Sequence, residues 1–178
     1  QGPPGNGKTT LIKEGVCKAV NRPFAFIALG GLQNSEFLTG HEYTYEGSQN
    51  GRIIEILKET GCMDPIIYFD ELDKLSESPK GDEISNLLCH LTDTSQNNSF
   101  YDKYFSGIEF DLSRVSFIFS YNDESKINPI LLDRMIKIKT DGFKSKDKIT
   151  ICNDYLIPNI CKNIGLLRNS TRSTLLSL

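Results

Sequence analysis

The chain has 178 residues, of which 38% are hydrophobic and 24% are charged, and its formal net charge is -3. This balance is typical of a globular domain with an apolar core, and nothing in it indicates nucleic-acid binding. No apolar run approaches the roughly 18 residues that a membrane helix needs, so a membrane-spanning segment is not expected. The five cysteines show no CxxC spacing, which favours free thiols in an intracellular, reducing compartment such as the cytoplasm.

The chain opens with a glycine-rich segment, GPPGNGKT at residues 2–9, that matches the phosphate-binding pattern G-x-x-x-x-G-K-[ST]. Glycines permit the positive φ angles that turn backbone N–H groups toward a phosphate. Lys8 would place its charge on the β- and γ-phosphates of ATP, and Thr9 is the expected direct ligand to Mg²⁺. The alternative, a chance match in a glycine-rich turn, is disfavoured by the amphipathic helix predicted directly afterwards. The predicted nucleotide-binding residues are Gly2, Pro3, Pro4, Gly5, Asn6, Gly7, Lys8, Thr9 and Thr10.

Strand and helix patterns alternate along the rest of the chain. Apolar runs predict buried strands at residues 24–29, 66–69, 115–120 and 135–140. Periodic apolar positions predict helices at residues 8–20, 52–60, 83–91 and 129–133, and a helix over 145–163 that is interrupted by Pro158. Residues 92–112 predict a long loop or a hairpin. The alternation predicts parallel β-α-β units in a three-layer α/β domain. A strand normally precedes a phosphate loop, so we expect the first strand of the sheet to be missing from the chain.

Two adjacent acids, Asp70 and Glu71, follow the second predicted strand. In P-loop enzymes this strand lies beside the phosphate loop, where Asp70 would hold Mg²⁺ through water and Glu71 would orient and deprotonate the attacking water. A strand that simply ends in polar residues is the alternative. The phosphate loop upstream disfavours that alternative, because two carboxylates at the end of a buried strand are costly without a cation.

Two later polar residues complete a set for ATP hydrolysis. Asn122 follows the third predicted strand, where its side chain could contact the γ-phosphate and the attacking water, although Asn122-Asp123 is also a plain turn pattern. Arg134 could reach the nucleotide of a neighbouring subunit and neutralise charge in the transition state. A surface ion pair with Asp133 or another acid is its alternative.

These four elements, in this order, resemble the AAA+ ATPases, and the segments between them resemble the ATPase module of Lon-type proteases. The resemblance runs from Gly2 to about Pro158. Its more selective marks are Leu29-Gly30-Gly31, Gly40-His41, Thr44-Tyr45, Gly51-Arg52-Ile53, Asp70-Glu71-Leu72-Asp73-Lys74-Leu75, Asp111-Leu112-Ser113 and Leu131-Leu132-Asp133-Arg134-Met135. The resemblance implies an AAA+ P-loop α/β domain over residues 1–143 and the beginning of a small helical lid over residues 144–178.

The resemblance also implies that the chain hydrolyses ATP with Mg²⁺ as one subunit of a homo-oligomeric ring, expected to be a hexamer, that unfolds and translocates polypeptide. Tyr45 matches the pore-loop aromatic that grips unfolded substrate, and an ordinary loop anchor is the alternative. Glu46, Gln49 and Asn50 depart from the family pattern, which favours a second interpretation, a non-proteolytic AAA+ chaperone or remodelling ATPase. The serine-lysine peptidase domain of Lon-type proteases has no counterpart in this sequence.

Overall fold

A computed structural model of the protein describes residues 1–44, 46–77 and 80–165. The chain divides into two compact units, Gln1–Thr140 and Asp141–Leu178. The first unit contains a parallel β-sheet and several helices, and the described part of the second unit is helical. The assignment of residues 144–178 to a lid domain stays a prediction.

The sheet of the first unit has three parallel strands in the order β1-β2-β5, formed by Phe24–Ala28, Ile66–Asp70 and Ser116–Phe119. These strands confirm three of the four predicted runs as strands, although β1 alternates between buried and exposed residues and β5 is only half-buried. Residues 66–69 of the central strand are all buried, as expected where both faces of a parallel sheet are covered. Because the strands are parallel and in register, their carboxyl ends lie side by side at one edge of the sheet.

The helices lie at sequence positions close to the predicted ones. Helix α1 covers residues 8–20 in three consecutive stretches, Lys8–Thr10, Leu11–Val16 with π spacing, and Cys17–Val20. The other helices of the first unit are α2 (Glu36–Thr39), α3 (Arg52–Thr60), α4 (Gly81–Thr92) and α5 (Pro129–Asp133), with 3₁₀ turns at Leu72–Glu77 and Glu124–Lys126. Helix α3 buries the predicted apolar face.

The hydrophobic core is formed by β1, β2 and helices α2 to α5, together with the segment before β5. Its fully buried members include Leu29, Leu38, Ile53, Ile56, Ile67, Phe69, Ile84, Leu88, Leu91, Leu112 and Leu131. The ring of Phe69 stacks on that of Phe119, with centroids 5.1 Å apart. Each buried aliphatic or aromatic side chain of this kind stabilises the fold by about 1.5–3 kcal/mol. The core therefore fixes the strands at whose ends the polar residues lie.

Arg22 joins the amino-terminal ends of β2 and β5. Its guanidinium donates hydrogen bonds to the backbone oxygens of Asp64 at 2.5 Å, Pro65 at 3.3 Å and Arg114 at 2.7 Å, and to the hydroxyl of Ser116 at 2.8 Å. Carbonyl oxygens at strand ends need partners, and one planar cation satisfies three of them. Arg22 thus stabilises the amino-terminal ends of the strands, whereas Asp70 and Asn122 lie at the carboxyl ends.

The predicted hairpin within residues 92–112 is confirmed as the antiparallel pair β3 (Phe100–Tyr101) and β4 (Glu109–Phe110). Asp102 follows β3, is only 1% exposed, and accepts backbone N–H bonds from Gly51 at 2.7 Å and Tyr104 at 3.0 Å. Gly51 meets Gly40 at the neck of loop 41–50, where a Cβ on Gly40 would lie 2.8 Å from the nitrogen of Gly51. The N–H of Lys103 donates to the oxygen of Thr39 at 2.8 Å, so the segment after β3 contacts both ends of this loop.

The predicted strand at residues 135–140 is wrong, because the segment is irregular. The terminal amine of Gln1 donates to the oxygen of Ile138 at 2.9 Å, and the N–H of Thr140 donates to the oxygen of Gln1 at 2.8 Å. Among the described residues, Gln1 is the only sequence-distant backbone partner of this segment. A strand needs a run of paired residues, and pairing with one residue does not extend the ladder.

The second unit contains one described helix, α6, over residues 145–163. It consists of the consecutive stretches Ser145–Ile151, Cys152–Leu156 with π spacing, and Ile157–Asn163. The predicted interruption appears as a change of helical geometry, because the π stretch ends at Leu156 and Pro158 lies in the first turn of the α-helical stretch that follows. Within the described ranges of the whole chain, no helix combines the length and the apolar character that crossing a membrane requires.

Candidate active site

The glycine-rich loop before α1 has two glycines with positive φ and three backbone N–H groups without a backbone partner among the described residues. Gly5 and Gly7 have φ angles of 74° and 78°, in the left-handed region that glycine adopts without a steric penalty. Among the described residues, no backbone carbonyl accepts a hydrogen bond from Gly5, Asn6 or Gly7. These three donors and the amino end of α1 fit a phosphate group, because they offer hydrogen bonds and a favourable dipole to an anion.

The ammonium group of Lys8 lies within a set of oxygen acceptors at this loop. It donates to the backbone oxygens of Gly2 at 2.8 Å and Pro3 at 3.0 Å, and to the side-chain oxygens of Asn6 and Asn122, both at 3.3 Å. The contact with Asn122 joins the loop to the residue that follows β5. Lys8 and Asn122 therefore lie close enough together to contact one phosphate group.

Asp70 ends β2, and Glu71 follows it with a positive φ of 60°. This conformation costs a residue other than glycine roughly 1–2 kcal/mol and often occurs at functional positions. The sequence did not indicate it. The carboxylate of Glu71 lies against Gly30, so close that a Cβ on Gly30 would collide with its Oε2 and lie 3.3 Å from its Cδ. The exposed side chain of Glu71 thus occupies space that is open because Gly30, which follows β1, has no side chain.

Both expected metal ligands make hydrogen bonds to buried hydroxyl groups that the sequence analysis missed. The hydroxyl of Ser120, which is 2% exposed, donates to Oδ1 of Asp70. The hydroxyl of Thr9 donates to the hydroxyl of Tyr68 at 3.3 Å, and Tyr68 is 1% exposed. The sequence carries two signals for these contacts. Tyr68 is a polar residue within the apolar run of β2, and Ser120 is a polar residue directly after β5.

These groups border one cavity of about 450 Å³ beside the carboxyl ends of β2 and β5. Its lining residues are Pro4, Gly5, Asn6, Gly7, Lys8, Thr9, Thr10, Asp70, Glu71, Ser120, Tyr121 and Asn122. The volume is in the range of small-molecule sites. The structure therefore brings together the phosphate loop, both expected metal ligands, Glu71 and Asn122. The chemical role of each residue stays a prediction.

Arg134 is absent from the lining of this cavity, among the residues that the structure describes. Its guanidinium lies 2.9 Å from the carboxylate of Asp93 and donates to the backbone oxygen of Cys89. Hydrogen bonds from Ser95, and then the charge of Arg134, hold the pKa of the Asp93 carboxyl below its usual value. Within a single chain, Arg134 thus forms an ion pair with an acid other than Asp133, and its action on a neighbouring subunit stays a prediction.

The proposed pore-loop residue, Tyr45, lies outside the described residues. Its neighbours Tyr43 and Thr44 are exposed on the same loop, Tyr43 with 66% of its surface accessible. Residues 41–50 therefore include exposed positions, and the contact of Tyr45 with a polypeptide stays a prediction.

Comparison with known proteins assigns the chain to a family. The family model described as "ATPase family associated with various cellular activities (AAA)" matches residues 1–141. The chain is 43% identical over 169 residues to a Lon protease homolog of Acanthamoeba polyphaga mimivirus, a match that covers 94% of this chain and 16% of the relative. It is 40% identical to the Lon protease of Clostridioides difficile, over 94% of this chain and 21% of that protein. It is also 43% identical to the peroxisomal Lon protease homolog 2 of Bos taurus, over 93% of this chain and 19% of that protein.

The chain therefore spans between 16% and 21% of the length of these relatives. The family match covers the phosphate loop, the two carboxylates after β2, Asn122 and Arg134. The cavity beside the strand ends brings the first three of these features together. The chain thus belongs to the AAA family of ATPases, as a nucleotide-binding ATPase module similar to part of the Lon proteases.

Proposed function

We propose that this chain hydrolyses ATP with Mg²⁺ as one subunit of a homo-oligomeric ring, a hexamer, and that hydrolysis drives polypeptide unfolding and translocation for a Lon-type protease. The observation that carries the proposal is the cavity in which the phosphate loop, Thr9, Asp70 and Glu71 meet. The relatives named Lon protease support the wider role.

In this proposal the phosphate loop and Lys8 bind the β- and γ-phosphates. Lys8 exchanges its contacts with oxygens of the protein for contacts with phosphate oxygens. The hydroxyl of Thr9 and the carboxylate of Asp70 have the hard oxygen donors that Mg²⁺ prefers. When bound there, Mg²⁺ would neutralise charge on the phosphate oxygens. Thr9 would hold the ion directly, and Asp70 would hold it through water.

Glu71 acts as the general base in this proposal. Its carboxylate takes a proton from the water that attacks the γ-phosphorus, while the side chain of Asn122 orients that water and the phosphate. The left-handed backbone of Glu71 directs its side chain into the space over Gly30, so the carboxylate lies there before the substrate arrives. Such preorganisation avoids a rearrangement during the reaction.

Arg134 and Tyr45 act between molecules in this proposal. The ion pair with Asp93 holds the guanidinium of Arg134 at the surface, 33% exposed, where a neighbouring subunit can bring its nucleotide. A guanidinium there would stabilise negative charge in the transition state. Tyr45, on loop 41–50, would contact the polypeptide in the centre of the ring, since an aromatic side chain offers a large contact area with few rotatable bonds.

The first test compares Mg²⁺-dependent ATP hydrolysis by the wild-type protein and by Glu71→Gln. Glutamine keeps the shape of the side chain but cannot accept the proton, so ATP binding should persist while turnover falls by about 10²–10⁴-fold. Glu59→Gln is the matched control, because Glu59 makes an exposed ion pair with Arg52 and should leave turnover unchanged. Equal turnover of wild type and Glu71→Gln would refute the role of Glu71 as general base.

The ring is tested by mixing two variants that are each inactive. An Arg134→Ala subunit keeps Glu71, and a Glu71→Gln neighbour can supply its arginine, so the mixture should recover part of the activity. Unfolded polypeptide should raise the recovered rate. If the mixed assembly forms and no activity returns, Arg134 does not act on a neighbouring subunit.

A further inference from the structure

Ser120 makes three hydrogen bonds to the segment that carries the two catalytic-site carboxylates. Its N–H donates to the oxygen of Phe69 at 2.8 Å, and its own backbone oxygen accepts from the N–H of Leu72 at 3.0 Å. Its hydroxyl donates to Oδ1 of Asp70. The two backbone bonds lie on either side of Asp70 and Glu71, so the backbone at this position is held without the hydroxyl.

The hydroxyl of Ser120 therefore affects the Asp70 carboxylate rather than the pairing of β5 with β2. A carboxylate rotates easily about its last torsion, because that torsion has only broad, two-fold preferences. A hydrogen bond from a side chain that is 2% exposed restricts this rotation without competition from solvent. It also engages Oδ1, which leaves Oδ2 as the oxygen without that donor.

The position of Ser120 at the end of β5 links this effect to the phosphate loop. Asn122, two positions further along the chain, accepts a hydrogen bond from Lys8 at 3.3 Å. One short segment after β5 thus contacts the expected metal carboxylate with one side chain and the phosphate-binding lysine with another. A change in the position of this segment would alter both contacts.

We propose that Ser120 is a positioning residue for magnesium binding: its hydroxyl sets the orientation of the Asp70 carboxylate at the cavity. The inference rests on the proposed use of Mg²⁺ with Thr9 and Asp70. Partners that orient a ligating carboxylate typically change metal affinity by 10–100-fold when they are removed.

The test compares Ser120→Thr with Ser120→Val, because these two side chains have the same shape and differ by the hydroxyl. The measurement is a Mg²⁺ titration of the binding of a fluorescent ATP analogue, which does not require turnover. The Mg²⁺ concentration for half-maximal binding should stay near the wild-type value for Ser120→Thr and rise about tenfold or more for Ser120→Val. The smaller variant Ser120→Ala should follow Ser120→Val, and it serves if the added methyl groups prevent folding.

Ser116→Ala is the matched control from the same strand. Its hydroxyl accepts a hydrogen bond from Arg22 at 2.8 Å, at the opposite end of β5. Removing that hydroxyl should lower the free energy of unfolding and leave the Mg²⁺ requirement unchanged, which separates positioning from general destabilisation. An equal Mg²⁺ requirement in wild type, Ser120→Thr and the variants without the hydroxyl would overturn the proposal for Ser120. ATP hydrolysis by the wild-type protein that does not depend on Mg²⁺ would instead refute the metal in the proposed function.

Discussion

Gly30→Ala is expected to lower ATP turnover without reducing the stability of the fold. Gly30 does not have a positive φ, so alanine fits its backbone. A methyl group there would collide with Oε2 of Glu71 and lie 3.3 Å from Cδ. Ordinary contacts between carbon atoms are about 3.5–4.0 Å, and the colliding oxygen is at the flexible end of a side chain. The cheapest response is therefore a movement of the Glu71 carboxylate by about 1 Å.

The size of the effect follows from that displacement. Misplacing a catalytic group by about 1 Å can cost roughly 100-fold in rate, which corresponds to about 2.7 kcal/mol of activation free energy. Stability should change in the opposite direction. Replacing glycine by alanine at a compatible backbone position stabilises a protein by about 0.4–1 kcal/mol, because the unfolded chain loses conformational freedom.

The assay measures kcat, the affinity for ATP and the midpoint of denaturant unfolding for Gly30→Ala and Gly31→Ala. Gly31 is the matched control, because a Cβ there would meet no atom within 4 Å and its φ is not positive. We expect Gly31→Ala to keep wild-type turnover and Gly30→Ala to lose it while both bind ATP. Wild-type turnover of Gly30→Ala, or an equal loss in both variants, would refute the argument from the Glu71 carboxylate.

Two further predictions concern side chains that hold distant segments together. Arg22→Ala should lower the free energy of unfolding by about 2–4 kcal/mol in denaturant titrations, since it removes a charged donor from three backbone oxygens. Arg52→Ala, which removes exposed ion pairs only, should cost at most about 1 kcal/mol, and a comparable loss in both would contradict this reasoning. Asp102→Asn should cost about 1–3 kcal/mol and speed chymotrypsin cleavage within loop 41–50, because asparagine has one acceptor oxygen for two N–H donors. The prediction fails if Asp111→Asn, which changes an exposed turn, has the same effects.

The periodic parts of the fold and most of the cavity could be predicted from sequence. The apolar runs that form β1, β2 and β5 alternate with helical patterns, which favours a parallel sheet, and the central strand β2 is the one whose residues 66–69 are all buried. Once the sheet is parallel, the residues after β2 and β5 are brought to one edge, so Asp70 and Asn122 are expected beside the phosphate loop. The match of α3 to its predicted bounds, residues 52–60, has a local origin, because Gly51 and Gly61 flank the helix and Gly61 ends it in the left-handed conformation that glycine favours.

The features that were missed depend on pairs of residues far apart in the sequence. The predicted strand at 135–140 has an apolar pattern but lacks a run of residues on another strand to pair with. An apolar pattern in one segment does not indicate which other segment pairs with it. The ion pair of Arg134 with Asp93 and the hydroxyl contact of Ser120 with Asp70 likewise join separate segments, so spacing along one segment cannot indicate them. The left-handed backbone of Glu71 is also invisible to sequence patterns, which favour glycine or asparagine at such angles.

The closed neck of loop 41–50 has a consequence for protein engineering. The backbones of Gly40 and Gly51 are in contact, and Asp102, from a different part of the chain, accepts a hydrogen bond from the N–H of Gly51. The loop is therefore joined to the core at one fixed junction, and this junction does not depend on the residues between the two glycines. Closing a flexible loop twice as long costs only about 0.6 kcal/mol more. Segments of different length and sequence can thus be grafted between these glycines to give chimeras that keep the nucleotide-binding scaffold.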